Sequence, residues 1–170
     1  MGRFGTAVES QAAQLAGAPS GTTFNGYFAA IVAGASANFK VRRVILGVRA
    51  GASVPTSQQL TVGIYRQTVR VAGTGISTVT GQNLDPRGAA TAITGVDVTT
   101  AATAGTTGPT IAANPHFRLS FNTQAAFDVP YEMLEELFCD QGTANGIAFV
   151  NLGNALPASH LFTLSIEHEE

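Results

Sequence analysis

Hydrophobic and polar residues alternate along short runs of this chain, and turn-forming residues separate the runs. The clearest run is Leu60–Arg66, where Leu60, Val62 and Ile64 lie on one face of an extended strand, because successive side chains of a strand point to opposite sides. We therefore predict a strand with one face in the core and one face outside it. The last run, Leu161–Glu167, alternates in the same way, with its apolar face at the even-numbered positions.

Eight runs of this kind predict eight strands. They are Thr22–Val32, Phe39–Arg49, Leu60–Arg66, Ala92–Val98, Phe117–Phe121, Glu135–Asp140, Gly146–Leu152 and Leu161–Glu167. Between them lie turn signals that contain Pro, Gly, Asn or Asp, because proline restricts φ and the other three accept turn geometry. Asn145-Gly146 is the best hairpin signal, and it predicts that the sixth and seventh strands pair with each other.

This pattern predicts an all-β fold, a jelly-roll-like β-sandwich of about eight strands with an extended N-terminal arm. An immunoglobulin-type sandwich is the alternative, although the chain has no Trp and no pair of Cys residues for its central pin. We expect residues 1–21 to form the arm and residues 22–170 to form the sandwich domain. One short helix over Tyr131–Leu137 competes with a strand there, and Val71–Pro109 is expected to form extended loops with one weak strand.

The amino-acid composition favours assembly into an oligomer. Only 12% of the 170 residues are charged, about half of the usual quarter for a soluble domain. Since no apolar run approaches the ~18 residues that a membrane-spanning helix needs, we expect no membrane association and predict that other subunits cover the apolar surface. The single dense basic cluster, Lys40 with Arg42 and Arg43, is too small for the basic stripe of a nucleic-acid-binding protein.

Candidate chemistry is sparse. Glu132, Glu135, Glu136 and Asp140 form an acidic patch that could supply paired carboxylates for glycoside hydrolysis, but a solvated face or a contact to arginines is the simpler interpretation. The lone Cys139 excludes an internal disulfide and a cysteine-based zinc site; it is expected to be a small core residue, which suits a reducing cytoplasm.

The remaining motifs predict no site. The Glu167–Glu170 tail, even with His160 and His116, is expected to be too mobile at the chain end to hold a metal. Gly73-Thr74-Gly75 is interpreted as a turn rather than a phosphate-binding loop, and the chain has no G-x-S-x-G motif. We read no secretory signal at the N-terminus. We therefore expect no enzyme activity, no cofactor and no metal.

Eight arginines accompany a single lysine, and arginine suits interfaces because it binds carboxylates in a bidentate manner. We predict that these arginines pair with acidic residues of a neighbouring copy in a homo-oligomer. The set comprises Arg42, Arg43, Arg49, Arg66, Arg70, Arg87 and Arg118.

Several segments resemble small structural proteins of tailed bacteriophage virions. They are Val44–Val48, Pro55–Arg66, Leu84–Ala90 with the Thr-rich run to Thr110, and the Glu-terminated last strand. The resemblance implies a decoration or cement protein that binds the major capsid protein on the outside of the virion, often as a trimer. Residues 1–21 and the Val71–Pro109 loops would make the contacts. A phage tail or receptor-binding, lectin-like module is the alternative, and a small hydrolase on a sandwich fold is a third possibility.

Overall fold

The computed structural model describes residues 2–10, 17, 25–51, 56–101, 107–132, 135–157 and 159–170. These residues form thirteen β-strands and no helix, so within them there is also no helix that could span a membrane. The strands are β1 (Arg3–Glu9), β2 (Tyr27–Val32), β3 (Phe39–Ala50), β4 (Gln59–Val69), β5 (Ile76–Val79), β6 (Gln82–Asn83), β7 (Gly95–Thr99), β8 (Thr110–Ile111), β9 (Phe117–Asn122), β10 (Phe127–Pro130), β11 (Leu137–Cys139), β12 (Gly146–Asn151) and β13 (His160–Glu169).

Two antiparallel sheets stack in a sandwich-like arrangement, which confirms the all-β prediction. The six-stranded sheet has the order β10-β3-β13-β1-β6, with β11 also paired to β3. The seven-stranded sheet has the order β5-β7-β2-β12-β4-β8, with β9 also paired to β4. Each of the eight predicted segments overlaps one strand, and β1, β5, β6, β8 and β10 are additional. Residues 22–24 of the first predicted segment lie outside the described residues.

The core lies between the sheets and contains the apolar faces that the alternation predicted. Phe162, Leu164 and Ile166 of β13 are each at most 2% exposed. Phe28 of the seven-stranded sheet stacks on Phe162 of the six-stranded sheet, with ring centroids 4.1 Å apart and an interplanar angle of 13°. Aromatic rings thus join the two layers at the centre of the core.

The prediction that β4 has one face outside the core is wrong. Tyr65 on that face is 5% exposed, and it belongs to a second apolar cluster with Tyr27, Ala30, Val32, Val71, Ala148 and Val150. Ile76, Ile111 and Leu152 pack against this cluster and help to cover the outer side of the seven-stranded sheet. The chain therefore buries apolar surface on two sides of one sheet without a second subunit, which weakens the argument from its low charge.

The predicted arm over residues 1–21 is wrong for Arg3–Glu9, which form β1. This strand pairs along its whole length with β13, and Phe4 and Val8 are buried. The buried positions of β1 are Phe4, Thr6 and Val8. Because one of these three is polar, the hydrophobic alternation is too weak to predict a strand. Met1 and residues 11–16 and 18–21 of the predicted arm lie outside the described residues.

The predicted hairpin at Asn145-Gly146 is also wrong. β11 pairs with β3 of the six-stranded sheet, whereas β12 lies between β2 and β4 of the other sheet, so this turn carries the chain between layers. A Cβ atom at Gly146 would lie 2.5 Å from the Ile31 carbonyl oxygen, so glycine is needed for close strand packing. The possible helix over Tyr131–Leu137 is absent from its described residues; Met133 and Leu134 lie outside them.

The Val71–Pro109 region has more strand structure than predicted. β7 lies inside the seven-stranded sheet with all five residues buried, β5 extends that sheet, and β6 pairs with β1 of the other sheet. The Gly73-Thr74-Gly75 segment is a turn, as predicted, with φ of +96° and +90° at its two glycines.

Candidate functional site

A β-bulge on the outer face of the six-stranded sheet brings two arginines together. Along the β3–β13 ladder, Arg43 is opposite Glu167 and Val41 is opposite His168, so Arg42 is the extra residue of the bulge. Val41 and Val44 remain buried on the core side. An extra residue bends a strand locally and redirects its side chains, which leaves both arginines at the surface.

Arg42 lies between two carboxylates. Its Nε donates to Glu169 Oε2 at 2.6 Å, and its Nη1 donates to a Glu136 oxygen. The three side chains are 21%, 12% and 6% exposed for Arg42, Glu169 and Glu136, respectively. The charges are therefore largely shielded from water, and the contact connects β3, the end of β13 and the residue before β11.

Arg43 forms the second half of the network. Its Nε and Nη2 donate to the two oxygens of Asp128 at 2.8 and 2.6 Å, and Glu167 lies 3.6 Å from its Nη1. Glu167 also accepts from Arg3 at 3.2 Å. The bidentate contact lowers the pKa of Asp128 and raises that of Arg43, because each charge stabilises the other.

A surface groove of about 420 Å³ runs across this network and is lined in part by Pro130 and Tyr131. A general acid needs a raised carboxyl pKa, whereas that of Asp128 is lowered by Arg43, so Asp128 is poorly suited to donate a proton. The arrangement can instead hold strands together and present alternating charges to a polar partner.

The predicted acidic patch does not come together as one site. Glu136 binds Arg42, whereas Asp140 is 69% exposed and lies 3.9 Å from Arg66 of the other sheet. Glu132 and Glu135 are exposed. The simpler interpretation, a solvated face with contacts to arginine, describes these residues better than paired carboxylates do.

Most of the Glu167–Glu170 tail lies in a paired strand, whereas the prediction expects a free chain end. Glu167, His168 and Glu169 belong to β13, which pairs with strands on both sides. Strand alternation places the His168 ring in the core and the two carboxylates outside. His160 lies at the other end of β13 and accepts a hydrogen bond from the Thr56 amide. The described residues contain no group of three or more His, Cys, Asp or Glu that could hold a metal ion.

Most of the arginines predicted to pair with a neighbouring copy do not need that copy to neutralise their charge. Six of the seven arginines pair with carboxylates of their own chain; the further pairs are Arg49–Glu9, Arg66–Asp140, Arg70–Asp97 and Arg87–Asp85. The preference for arginine over lysine therefore does not by itself indicate a homo-oligomer, since ion pairs within one chain use these side chains.

Asp97 is the most deeply buried of these partners, and sequence reasoning missed it. Its side chain is 0% exposed, and both oxygens accept from Arg70 at 2.7 Å. Thr78 of β5 donates to it as well, also at 2.7 Å. A charged residue between Val96 and Val98 in a predicted strand was the available signal, since buried carboxylates need partners.

Cys139 is buried, as predicted for a core residue. Burial raises the pKa of its thiol to about 11, so the thiolate nucleophile is disfavoured.

Two other cavities open at the surface. One, of about 680 Å³, lies between the start of β1 and residues 83–92 and includes Phe4, Leu84 and Glu170 in its wall. The other, of about 450 Å³, lies beside Gly47, His160 and the turn at residues 123–126.

Comparison with protein-family models, with curated protein sequences and with solved structures finds no match to this chain. The fold therefore defines only its class, an all-β protein of two stacked antiparallel sheets, with a network of arginines and carboxylates on one outer face.

Proposed function

We propose that this chain is a structural protein of a tailed bacteriophage virion that binds the outer capsid surface as a decoration or cement protein. In this role it would be made in the host cytoplasm, bind the major capsid protein on the virion exterior and act without a catalytic site or cofactor. The proposal rests on the resemblance of its segments to such proteins and on the difference between the two outer sheet faces.

The outer faces differ in what covers them, and this observation carries the proposal. An apolar cluster lies on the outer side of the seven-stranded sheet under residues of the same chain. The outer face of the six-stranded sheet carries Gly5, Ala7, Ile45 and Ser165, and these residues are half-buried or exposed. Three of these four residues are small, which lets a partner approach the sheet closely, and the ion pairs beside them favour one orientation. We assign the capsid contact to this face.

Strand order supports a jelly roll as the detailed fold. With β1, β2, β3, β4, β9, β10, β12 and β13 counted one to eight, the sheets contain the orders 1-8-3-6 and 2-7-4-5. Two Greek keys wrapped into a sandwich produce this interleaving. In this assignment, β5 to β8 are an insertion between the fourth and fifth strands.

Gold-labelled antibodies against the chain, applied to purified virions, test its location. Label over the head is expected, and label at the tail would support the receptor-binding alternative instead. Virions that lack the protein by mass spectrometry would contradict both. Native mass spectrometry of the isolated protein tests the trimer that we propose for its assembly.

A second experiment tests the assigned face. Ala7→Arg combined with Ser165→Arg places two bulky charges on the six-stranded sheet, and we expect the protein to stop co-sedimenting with capsids that lack it. Ser77→Arg, at an exposed position of β5, is the control and should still bind. Equal binding by both variants would refute the assignment.

The receptor-binding alternative is favoured by one observation, the 680 Å³ cavity beside residues 83–92. Its volume lies within the range of about 300–1,000 Å³ that is typical of small-molecule sites, and Asn83, Asp85 and Arg3 add polar groups to its wall. Binding on a glycan array that is lost after Leu84→Arg would support this alternative.

A further inference from the structure

The C-terminal end of β13 buries a histidine in an aromatic pocket. The side chain of His168 is 0% exposed. Its ring stacks on Phe4 of β1, with centroids 5.3 Å apart and an interplanar angle of 19°, and Phe39 of β3 meets it edge-on at 6.2 Å. A ring held in this way has no contact with water, so its charge state depends on the few polar atoms around it.

Only one of the two ring nitrogens has a hydrogen-bond partner. His168 Nε2 lies 3.2 Å from Glu170 Oε1, whereas His168 Nδ1 and the nearby Thr6 Oγ1 are buried with no partner among the described residues. Because a carboxylate only accepts hydrogen bonds, Nε2 carries the proton of the neutral ring, and Nδ1 has a free lone pair. A Cβ atom at Gly81 would lie 3.0 Å from Thr6 Oγ1 and 3.2 Å from His168 Cε1, so the Gly81 backbone covers this pocket closely.

Glu170 connects the histidine to the segment of residues 84–92. One of its oxygens accepts from the Ala92 amide at 2.7 Å, and the other accepts from the Thr91 hydroxyl as well as from His168. The start of the segment is held separately, since the Leu84 amide donates to the Arg3 carbonyl at 2.8 Å. The adjoining strand β6 pairs with β1 through only two residues.

We propose that His168 and Glu170 form an acid-sensitive latch that holds the 84–92 segment against the sheet while the imidazole is neutral. When a proton binds Nδ1, the pocket must hold a cation, and no acceptor of the described residues lies within hydrogen-bond distance of Nδ1–H in this arrangement. If β6 and Gly81 move away from β1, water can reach the His168 ring, and only the two β6–β1 residue pairs are lost. This movement releases the 84–92 segment.

Apart from Glu170, no charged group of the described residues contacts the His168 ring and could stabilise its protonated form. The elements packed against His168 contribute Phe4 and Thr6 from β1, Phe39 from β3 and the Gly81 backbone, none of which titrates near neutral pH. Among the described residues, Glu170 is the one charged group in contact with the ring. The charged side chains of Arg3, Lys40, Glu167 and Glu169 are carried by the opposite face of the same sheet.

The direction of the pH effect follows from burial. Burial lowers the pKa of His168 below its ordinary value of 6.5, and Glu170 opposes this shift only in part. The unfolded chain therefore binds this proton at a higher pH than the folded chain does. The contribution of His168 to stability is complete above pH 6.5 and is lost as the pH falls toward the lower pKa of the folded state.

Hydrogen exchange at single amides tests the latch, with the full chain compared at about pH 5 and about pH 7.5, on either side of the ordinary histidine pKa. After correction for intrinsic exchange, we expect the Ala92 and Leu84 amides to lose protection at the lower pH, while amides of β12 keep theirs. His168→Gln cannot take up the proton and is expected to keep Ala92 protected at both pH values. His116→Gln, at an exposed histidine, is the matched control and should behave like the unmodified protein.

An NMR titration of the unmodified protein remains decisive even if His168→Gln does not fold. We expect the His168 ring to titrate below pH 6.5, the ordinary value for a histidine side chain. A His168 ring that titrates at or above this value would overturn the proposal. So would an Ala92 amide that stays protected at the lower pH in the unmodified protein.

Discussion

Replacing Asp97 with alanine removes the carboxylate that Arg70 and Thr78 share on the seven-stranded sheet. The side chain of Asp97 is 0% exposed and accepts two guanidinium bonds at 2.7 Å, whereas that of Arg70 is 30% exposed. Removing one partner of a fully buried ion pair costs about 3–5 kcal/mol. Because Arg70 can regain water, we reduce this value and expect a loss of about 2–3 kcal/mol, near the upper range for charged hydrogen bonds.

Urea denaturation measures this loss directly, and thermal denaturation should show a fall in the melting temperature of about 4–12 °C for a chain of this size. Asp128→Ala is the control, since it removes a bidentate contact of the same kind between exposed side chains, and it should cost much less. A double-mutant cycle of Asp97→Ala with Arg70→Ala isolates the pair. A loss from Asp97→Ala no larger than that from Asp128→Ala would refute the argument from burial.

Three further predictions concern the core and the first strand. Phe28→Ala should lower the free energy of unfolding by about 3–5 kcal/mol, because it removes a fully buried ring, and urea denaturation checks this. Cys139 should resist thiol reagents in the folded protein at pH 8, since its pKa is raised to about 11, and should react after unfolding; labelling followed by mass spectrometry shows whether it does. Val8→Asp should unfold the chain or lower its stability by more than about 2 kcal/mol by burying an unpaired charge in β1, whereas a flexible arm would tolerate it, and circular dichroism separates these outcomes.

Several elements could be predicted from local sequence because their signals repeat within a few residues. Leu60, Val62 and Ile64 alternate with other residues and lie in the core, and Phe162 and Leu164 do the same in the last strand. A strand with this pattern can be recognised without its neighbours, since the two-residue period of its side chains is a local property. The all-β fold could be predicted for the same reason, and the structure confirms it.

Strand partners were less predictable. Asn145-Gly146 has the residues of a hairpin turn, yet β11 and β12 belong to different sheets because β12 fits between β2 and β4 with both faces covered. β1 has too few large apolar residues to be recognised alone, and it is a strand because β13 pairs with it along its whole length.

Alternation and turn residues act over a few positions, so the amino-acid order alone predicts short strands around an apolar core. It does not predict which charges meet, because that depends on how the strands are arranged in the folded chain. Arg42 binds Glu169 across 127 positions, and His168 is buried although it lies in a charged tail. Such contacts depend on strands that are distant in the chain and adjacent in a sheet, and no local pattern encodes that adjacency.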